Sequence, residues 1–162
     1  SGTATASLTV NTPGQLAISQ SFLEDPIPPG GTVKLSFTIS NFDRDFSASA
    51  ISFTEDLDAI LPGLQAVNTP LLNPCGAGSM LSGTSTLSFS GGDLATESTC
   101  TFTVTLQVPA GAAPGSYPAS SSNLTGTING SPFTGAPATD VLFINYTPQL
   151  AKSFTPSLIG TG

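Results

Sequence analysis

Five of the ten carboxylates in this 162-residue chain, Asp43, Asp45, Glu55, Asp56 and Asp58, fall within sixteen residues of one another. With Asn41 just ahead of them they are hard oxygen donors, the kind that Ca2+ collects in six- to eight-fold coordination. Their spacing matches no EF-hand loop. They occupy the segments on either side of a strand centred on Ile51, so a strand running the whole way keeps them apart, whereas a short or bulged one lets them converge with backbone carbonyls. Two readings follow: a Ca2+ site built from Asn41, Asp43, Asp45, Glu55, Asp56 and Asp58, or solubilising charges at strand ends, partly paired with Arg44. Ca2+ is the single candidate cofactor; otherwise none is expected.

Cys75 and Cys100 are the only cysteines and have no C-x-x-C or Cys/His setting. A disulfide between them would close a loop of about 25 residues and stabilise the fold by about 3 kcal/mol. The alternative is two small apolar core residues in a reducing compartment. Because the chain has no His, catalytic triads and His-dependent metal sites are excluded, and it carries no phosphate-binding Gly-rich loop. Only chemistry run by carboxylates alone, such as glycoside hydrolysis, remains open to it. The expectation is no catalytic residue and no enzyme.

Composition narrows the partners. A formal charge of −7 with three basic side chains, Lys34, Arg44 and Lys152, leaves no patch to neutralise phosphates, which argues against nucleic acid and against an anionic membrane. The longest apolar run, Val141-Leu142-Phe143-Ile144, is far short of a membrane span, so no membrane insertion is expected within this stretch. Charged residues make up 8% of the chain, while Ser, Thr and Gly abound, which is the usage of an exported all-β protein. The expected localisation is extracellular, secreted or on a cell surface, where a disulfide persists.

The elements that must position these residues show a period of two. Val33, Leu35, Phe37 and Ile39 alternate with Lys34, Ser36, Thr38 and Ser40, and Cys100, Phe102, Val104, Leu106 and Val108 alternate with Thr101, Thr103, Thr105 and Gln107. Each is a strand with one buried face. That phase turns Lys34 toward water, out of the apolar core in which a Lys–Asn isopeptide bond would form beside a carboxylic acid. Further strands are expected at Ala50–Phe53, Leu87–Phe89, Tyr117 onward to Ile128, and Val141–Tyr146. Turns are expected at Pro26–Gly31, Leu61-Pro62-Gly63, Ser90-Gly91-Gly92-Asp93, Pro109–Gly111 and a tight hairpin at Asn129-Gly130. Helix is confined to a single turn at Leu57 to Ile60. About seven to nine short strands with frequent turns make an all-β, Greek-key β-sandwich.

The two ends resemble each other. Residues 6–17, with Asn11 and Gln15-Leu16-Ala17, align with residues 140–151, with Asn145 and Gln149-Leu150-Ala151, about 130 residues later. Three parts are therefore expected: residues 1–15 as the closing strand of a preceding repeat or an assembly strand, a sandwich over 16–148, and the opening strand of a following repeat over 149–162.

Pro28-Pro29-Gly30-Gly31-Thr32, Leu35-Ser36-Phe37-Thr38-Ile39-Ser40-Asn41, Leu61-Pro62-Gly63-Leu64, Cys100-Thr101-Phe102-Thr103-Val104 and Pro114-Gly115-Ser116-Tyr117 resemble the "conserved repeat" domains of large bacterial surface proteins. The resemblance spans about 16 to 148. It implies an immunoglobulin-like sandwich, tandem arrangement, export from the cell, and neighbouring copies of the same repeat as head-to-tail partners. Two roles are compatible with it: a structural spacer or cohesive element of a surface protein or filament, joined end to end or by strand exchange, and an adhesive module that binds glycan or protein through its end loops. Adhesive loops expose aromatic side chains. The chain has no Trp, and its two Tyr, Tyr117 and Tyr146, fall on strands or their edges, which favours the structural role.

Overall fold

The computed structural model describes residues 16–145. In chain order these form β1 (Leu16–Leu23), β2 (Thr32–Asn41), β3 (Ala48–Asp56), α1 (Leu57–Ile60), β4 (Gln65–Ala66), β5 (Leu71–Leu72), β6 (Met80–Ser82), β7 (Thr86–Leu94), β8 (Thr99–Gln107), β9 (Gly115–Ser120), β10 (Thr125–Ile128), β11 (Ser131–Thr134) and β12 (Thr139–Ile144). The resemblance between the chain ends and the parts expected at 1–15 and 149–162 fall largely outside the described residues.

Two layers face each other. One is the sheet β1-β2-β8-β4, and the other contains β11-β10-β3-β7-β6-β5. The β12-β9 pair is a sheet of its own: β12 runs beside β1, with Ile144 bridged in parallel to Ile27 and Asp140 Oδ2 accepting the Phe22 N–H, and just past β9 the Ser122 N–H donates to the Thr54 carbonyl at 2.8 Å and Thr54 N–H to Ser122 Oγ at 2.9 Å. This is an immunoglobulin-like β-sandwich, as expected, although its described strands are more numerous and several are shorter than the alternation alone indicates.

The alternating residues close the core. Val33, Leu35, Phe37 and Ile39 of β2 are buried, and Leu35 and Phe37 pair in register with Val104 and Phe102 of β8. Phe53 of β3 pairs with Phe89 of β7 in the opposite layer. The four rings make a closed quartet across the sandwich, with centroids 4.9 Å apart for Phe37–Phe53, 5.3 Å for Phe53–Phe89, 5.2 Å for Phe89–Phe102 and 5.6 Å for Phe37–Phe102. Aromatic pairs at such separations add to the burial of area itself. Cys75, in the loop between β5 and β6, is disulfide-bonded to Cys100 on β8, so the crosslink ties the edge of one layer to the other.

Two local expectations change. Ser90-Gly91-Gly92-Asp93 is not a turn but lies inside β7, whose register against β3 shifts twice along this stretch. Gly91 sits at φ +70°, and a Cβ on Gly92 would come within 2.8 Å of the Phe89 ring, so these glycines serve a bulge beside the aromatic quartet. The segment from Tyr117 to Ile128 is two strands. After Ser120 the chain turns inward, Leu124 enters the core, and Ser121 Oγ accepts the Ala138 N–H at 2.9 Å. By contrast, the single helical turn sits at Leu57–Ile60, and Asn129 (φ 48°) and Gly130 (φ 72°) form the tight β10–β11 hairpin, a pair of left-handed residues suited to a two-residue loop.

Candidate functional site

Strand directions define two poles. Leu16 pairs with Asn41, and Ser40 with Thr99, so the start of β1, the β2–β3 loop (residues 42–47), the β7–β8 loop (95–98) and the Asn129-Gly130 hairpin gather at one pole. The end of β12 lies at the other, where Ile144 pairs with Gly115 and forms a parallel bridge with Ile27. The described chain thus enters the sandwich at one pole and leaves it at the opposite one.

At the entry pole the 42–47 loop is pinned from within. Asn41, 1% exposed, donates from Nδ2 to the Phe46 and Ala95 carbonyls at 3.0 and 2.9 Å, and its Oδ1 accepts the Asp43 N–H at 3.0 Å. Asp43 Oδ1 accepts the N–H groups of Asp45 and Phe46, both at 2.9 Å, and the Asp43 carbonyl accepts the Glu97 N–H. Arg44 Nε meets Glu97 Oε1 at 3.2 Å on the surface. Because the polar groups hold the loop from inside, its apolar residues are turned outward: Phe42 is 63% and Phe46 42% exposed. Phe46 borders a groove with Ser47, Ser49, Thr127, Asn129 and Gly130.

At the exit pole a cleft of about 550 Å3 is lined by Pro26, Pro114, Gly115, Phe143, Ile144 and Asn145, with Phe143 48% exposed. Its walls are tied together by main-chain bonds and one side chain. Ile27 N–H donates to the Phe143 carbonyl at 3.0 Å, Asn145 N–H to the Ile27 carbonyl at 3.1 Å, and Asp25 Oδ2 accepts the Phe143 N–H at 3.0 Å.

The six residues considered for Ca2+ are not brought together. β3 is bulged but keeps its direction from Ala48 to Asp56, which puts Asn41, Asp43 and Asp45 at one end and Glu55, Asp56 and Asp58 at the other, about 25 Å away for a strand of this length. Each set already has structural duties. Asp56 caps α1 by accepting the Ala59 N–H at 3.2 Å, and Asp58 accepts the Gly63 N–H at 2.8 Å. Among the described residues no group of three or more His, Cys, Asp or Glu side chains is placed to hold a metal ion.

Glu55 is the unusual member of the set. It points into the core at 1% exposure, and burial pushes its carboxyl up to about 7 from an ordinary 4.5. Gln20, buried on β1 of the facing layer, opposes the shift, and the neighbouring Asp56 charge adds to it. The Glu55–Gln20 contact is not a well-formed hydrogen bond, since both carboxyl oxygens and both amide atoms lack a partner of good geometry.

Sequence reasoning missed Phe42 and Phe46. They lie in a polar segment with no alternation to assign them a face. Their one signal is that two large apolar residues flank Asp43-Arg44-Asp45, a composition that folds outward when the polar groups are needed inside.

No curated protein matches this chain. Among solved structures it is similar to BcpA, the major pilin subunit of Bacillus cereus, at 12% identity and a TM-score of 0.56, covering 80% of this chain and 39% of that one. It therefore spans about two-fifths of that pilin's length. It is also similar to the seventh ScaB type I cohesin from Pseudobacteroides cellulosolvens, at 14% identity and a TM-score of 0.59, covering 85% of this chain and 98% of the cohesin. These likenesses concern the fold. Residues 17–144 match the family described as "Domain of unknown function (DUF7933)", and the chain belongs to that family.

Proposed function

We propose that this domain is a structural repeat of an extracellular protein, passing its chain in line from one unit to the next and joining copies end to end. One observation carries the reading: Leu16 and Ile144 sit at opposite poles, so units strung on one chain extend rather than fold back. The Cys75–Cys100 disulfide supports export to an oxidising compartment. The similar pilin is a major subunit of its assembly, and the cohesin shares the same scaffold, which makes a cohesive role natural for this fold without transferring either partner. No catalytic residue is assigned. The exposed Phe42 and Phe46 favour a second reading, an adhesive module that grips a foreign protein or glycan at the entry pole.

A two-unit tandem measured by small-angle scattering tests the first reading. With core strands of up to ten residues, two units in line give a particle of about 80 Å, clearly elongated. A compact, folded-back pair would sink the reading.

A further inference from the structure

Resting on that end-to-end reading, we propose that Phe42 and Phe46 at the entry pole of one copy dock into the cleft formed by Pro26, Pro114 and Phe143 at the exit pole of another copy of this chain. Phe42 and Phe46 are exposed apolar side chains on a polar rim, Phe42 beside Arg44, Glu97 and Thr99 and Phe46 beside Ser47, Ser49 and Thr127, while the exit-pole cleft is lined chiefly by apolar side chains, and the two lie at opposite poles of the same unit. A cleft of about 550 Å3 is within the size range of occupied binding sites.

The end-to-end reading supplies the occupant. Leu150-Ala151 repeats Leu16-Ala17 in sequence, and on that reading only residues 146–149 would separate Asn145 from the start of a following unit. A connection of this length spans at most about 17 Å. The exit pole of one unit and the entry pole of the next are thereby held close enough to touch, and the local concentration of one surface at the other is high before any contact forms.

The entry-pole residues are also prepared for docking. Asn41 and Asp43 hold the loop through five hydrogen bonds, so little ordering remains when Phe42 and Phe46 are covered. Charge does not drive the contact. The entry pole has Asp43, Asp45 and Glu97 against Arg44, and the exit pole has Glu24 and Asp25 against Lys34, so both are net acidic. The attraction is apolar, and screening the acidic poles strengthens it. Because the two surfaces differ, the contact is heterologous and need not close into a ring.

The test uses the 162-residue chain at increasing concentration in the analytical ultracentrifuge, with Phe42→Ser/Phe46→Ser and Phe143→Ser as variants. All three side chains are exposed, so unchanged melting curves verify that the variants fold. The expected result is reversible association of the parent that increases with salt, and variants that each remain monomeric. Mixed, they should recover a 1:1 dimer and nothing larger, because one retains the cleft and the other the phenylalanines. Variants that associate like the parent overturn the proposal. So does a mixture that stays monomeric, or association that disappears on trimming residues 1–15 and 149–162 but ignores the substitutions. Association of the single chain that ignores the substitutions, beside a tandem that is elongated, discards the docking surfaces yet leaves the end-to-end reading standing.

Discussion

Asn41 Oδ1 accepts the backbone N–H of Asp43 at 3.0 Å while its amide holds the carbonyls of Phe46 and Ala95, so one buried side chain joins the end of β2 to two loops. Asn41→Ala would strand these groups. Leaving buried polar atoms unpaired costs on the order of 3 kcal/mol here. Asn41→Asp should be similarly harmful, because a carboxylate cannot donate to the two carbonyls. Urea denaturation checks both; a loss below about 0.5 kcal/mol would show that the loop is held by other contacts.

Glu55 makes stability fall as pH rises. Below about 4.5 the carboxyl is protonated in both folded and unfolded chains; between 4.5 and about 7 the unfolded chain releases a proton that the folded one keeps, and above that the difference is constant. The whole span corresponds to about 3 kcal/mol. Glu55→Gln should remove this part of the pH profile and raise stability at pH 8, where its amide can face that of Gln20. Melting curves of parent and variant from pH 4 to 8 should diverge with rising pH, and parallel curves would refute the assignment.

Reducing the Cys75–Cys100 disulfide, or replacing both residues by Ala, opens a loop with a sequence separation of 25. The expected loss is about 3 kcal/mol. Mass spectrometry of the unreduced chain should find no alkylatable thiol, and chemical denaturation with and without reductant gives the magnitude.

Millimolar Ca2+ should leave the melting temperature where chelator leaves it, since Asn41, Asp43 and Asp45 lie a strand's length from Glu55, Asp56 and Asp58. Any ligand that binds the folded state raises stability by mass action. A rise of several degrees would therefore reveal a site that uses only one of the two groups.

What the sequence reveals depends on the range of the interaction. The faces of β2 and β8 are legible because alternation is a property of neighbouring residues, and the Asn129-Gly130 turn is legible because its left-handed backbone selects those two residues. Ser90–Asp93 misleads because two glycines signal a turn as well as a bulge, and only the distant Phe53 and Phe89 pairing decides between them. The acidic group is open to two readings in the sequence for the same reason. Closeness in sequence became separation in space once β3 ran between its halves. Glu55 continues the buried phase of Ile51 and Phe53, yet a carboxylate there contradicts its polarity, and nothing local announces that Gln20 waits in the opposite layer.

Entry and exit at opposite poles also determine how the domain bears tension. Pulling on Leu16 and Asn145 drives β12 lengthwise past β1 and Ile27, so the Ile27–Phe143, Asn145–Ile27 and Asp140–Phe22 bonds are loaded together in shear instead of being unzipped in turn. Should these give way, the Cys75–Cys100 crosslink still withholds the residues between them, about 90 Å of contour length that a stretched unit cannot release. The crosslink therefore limits how far each unit can lengthen after it yields.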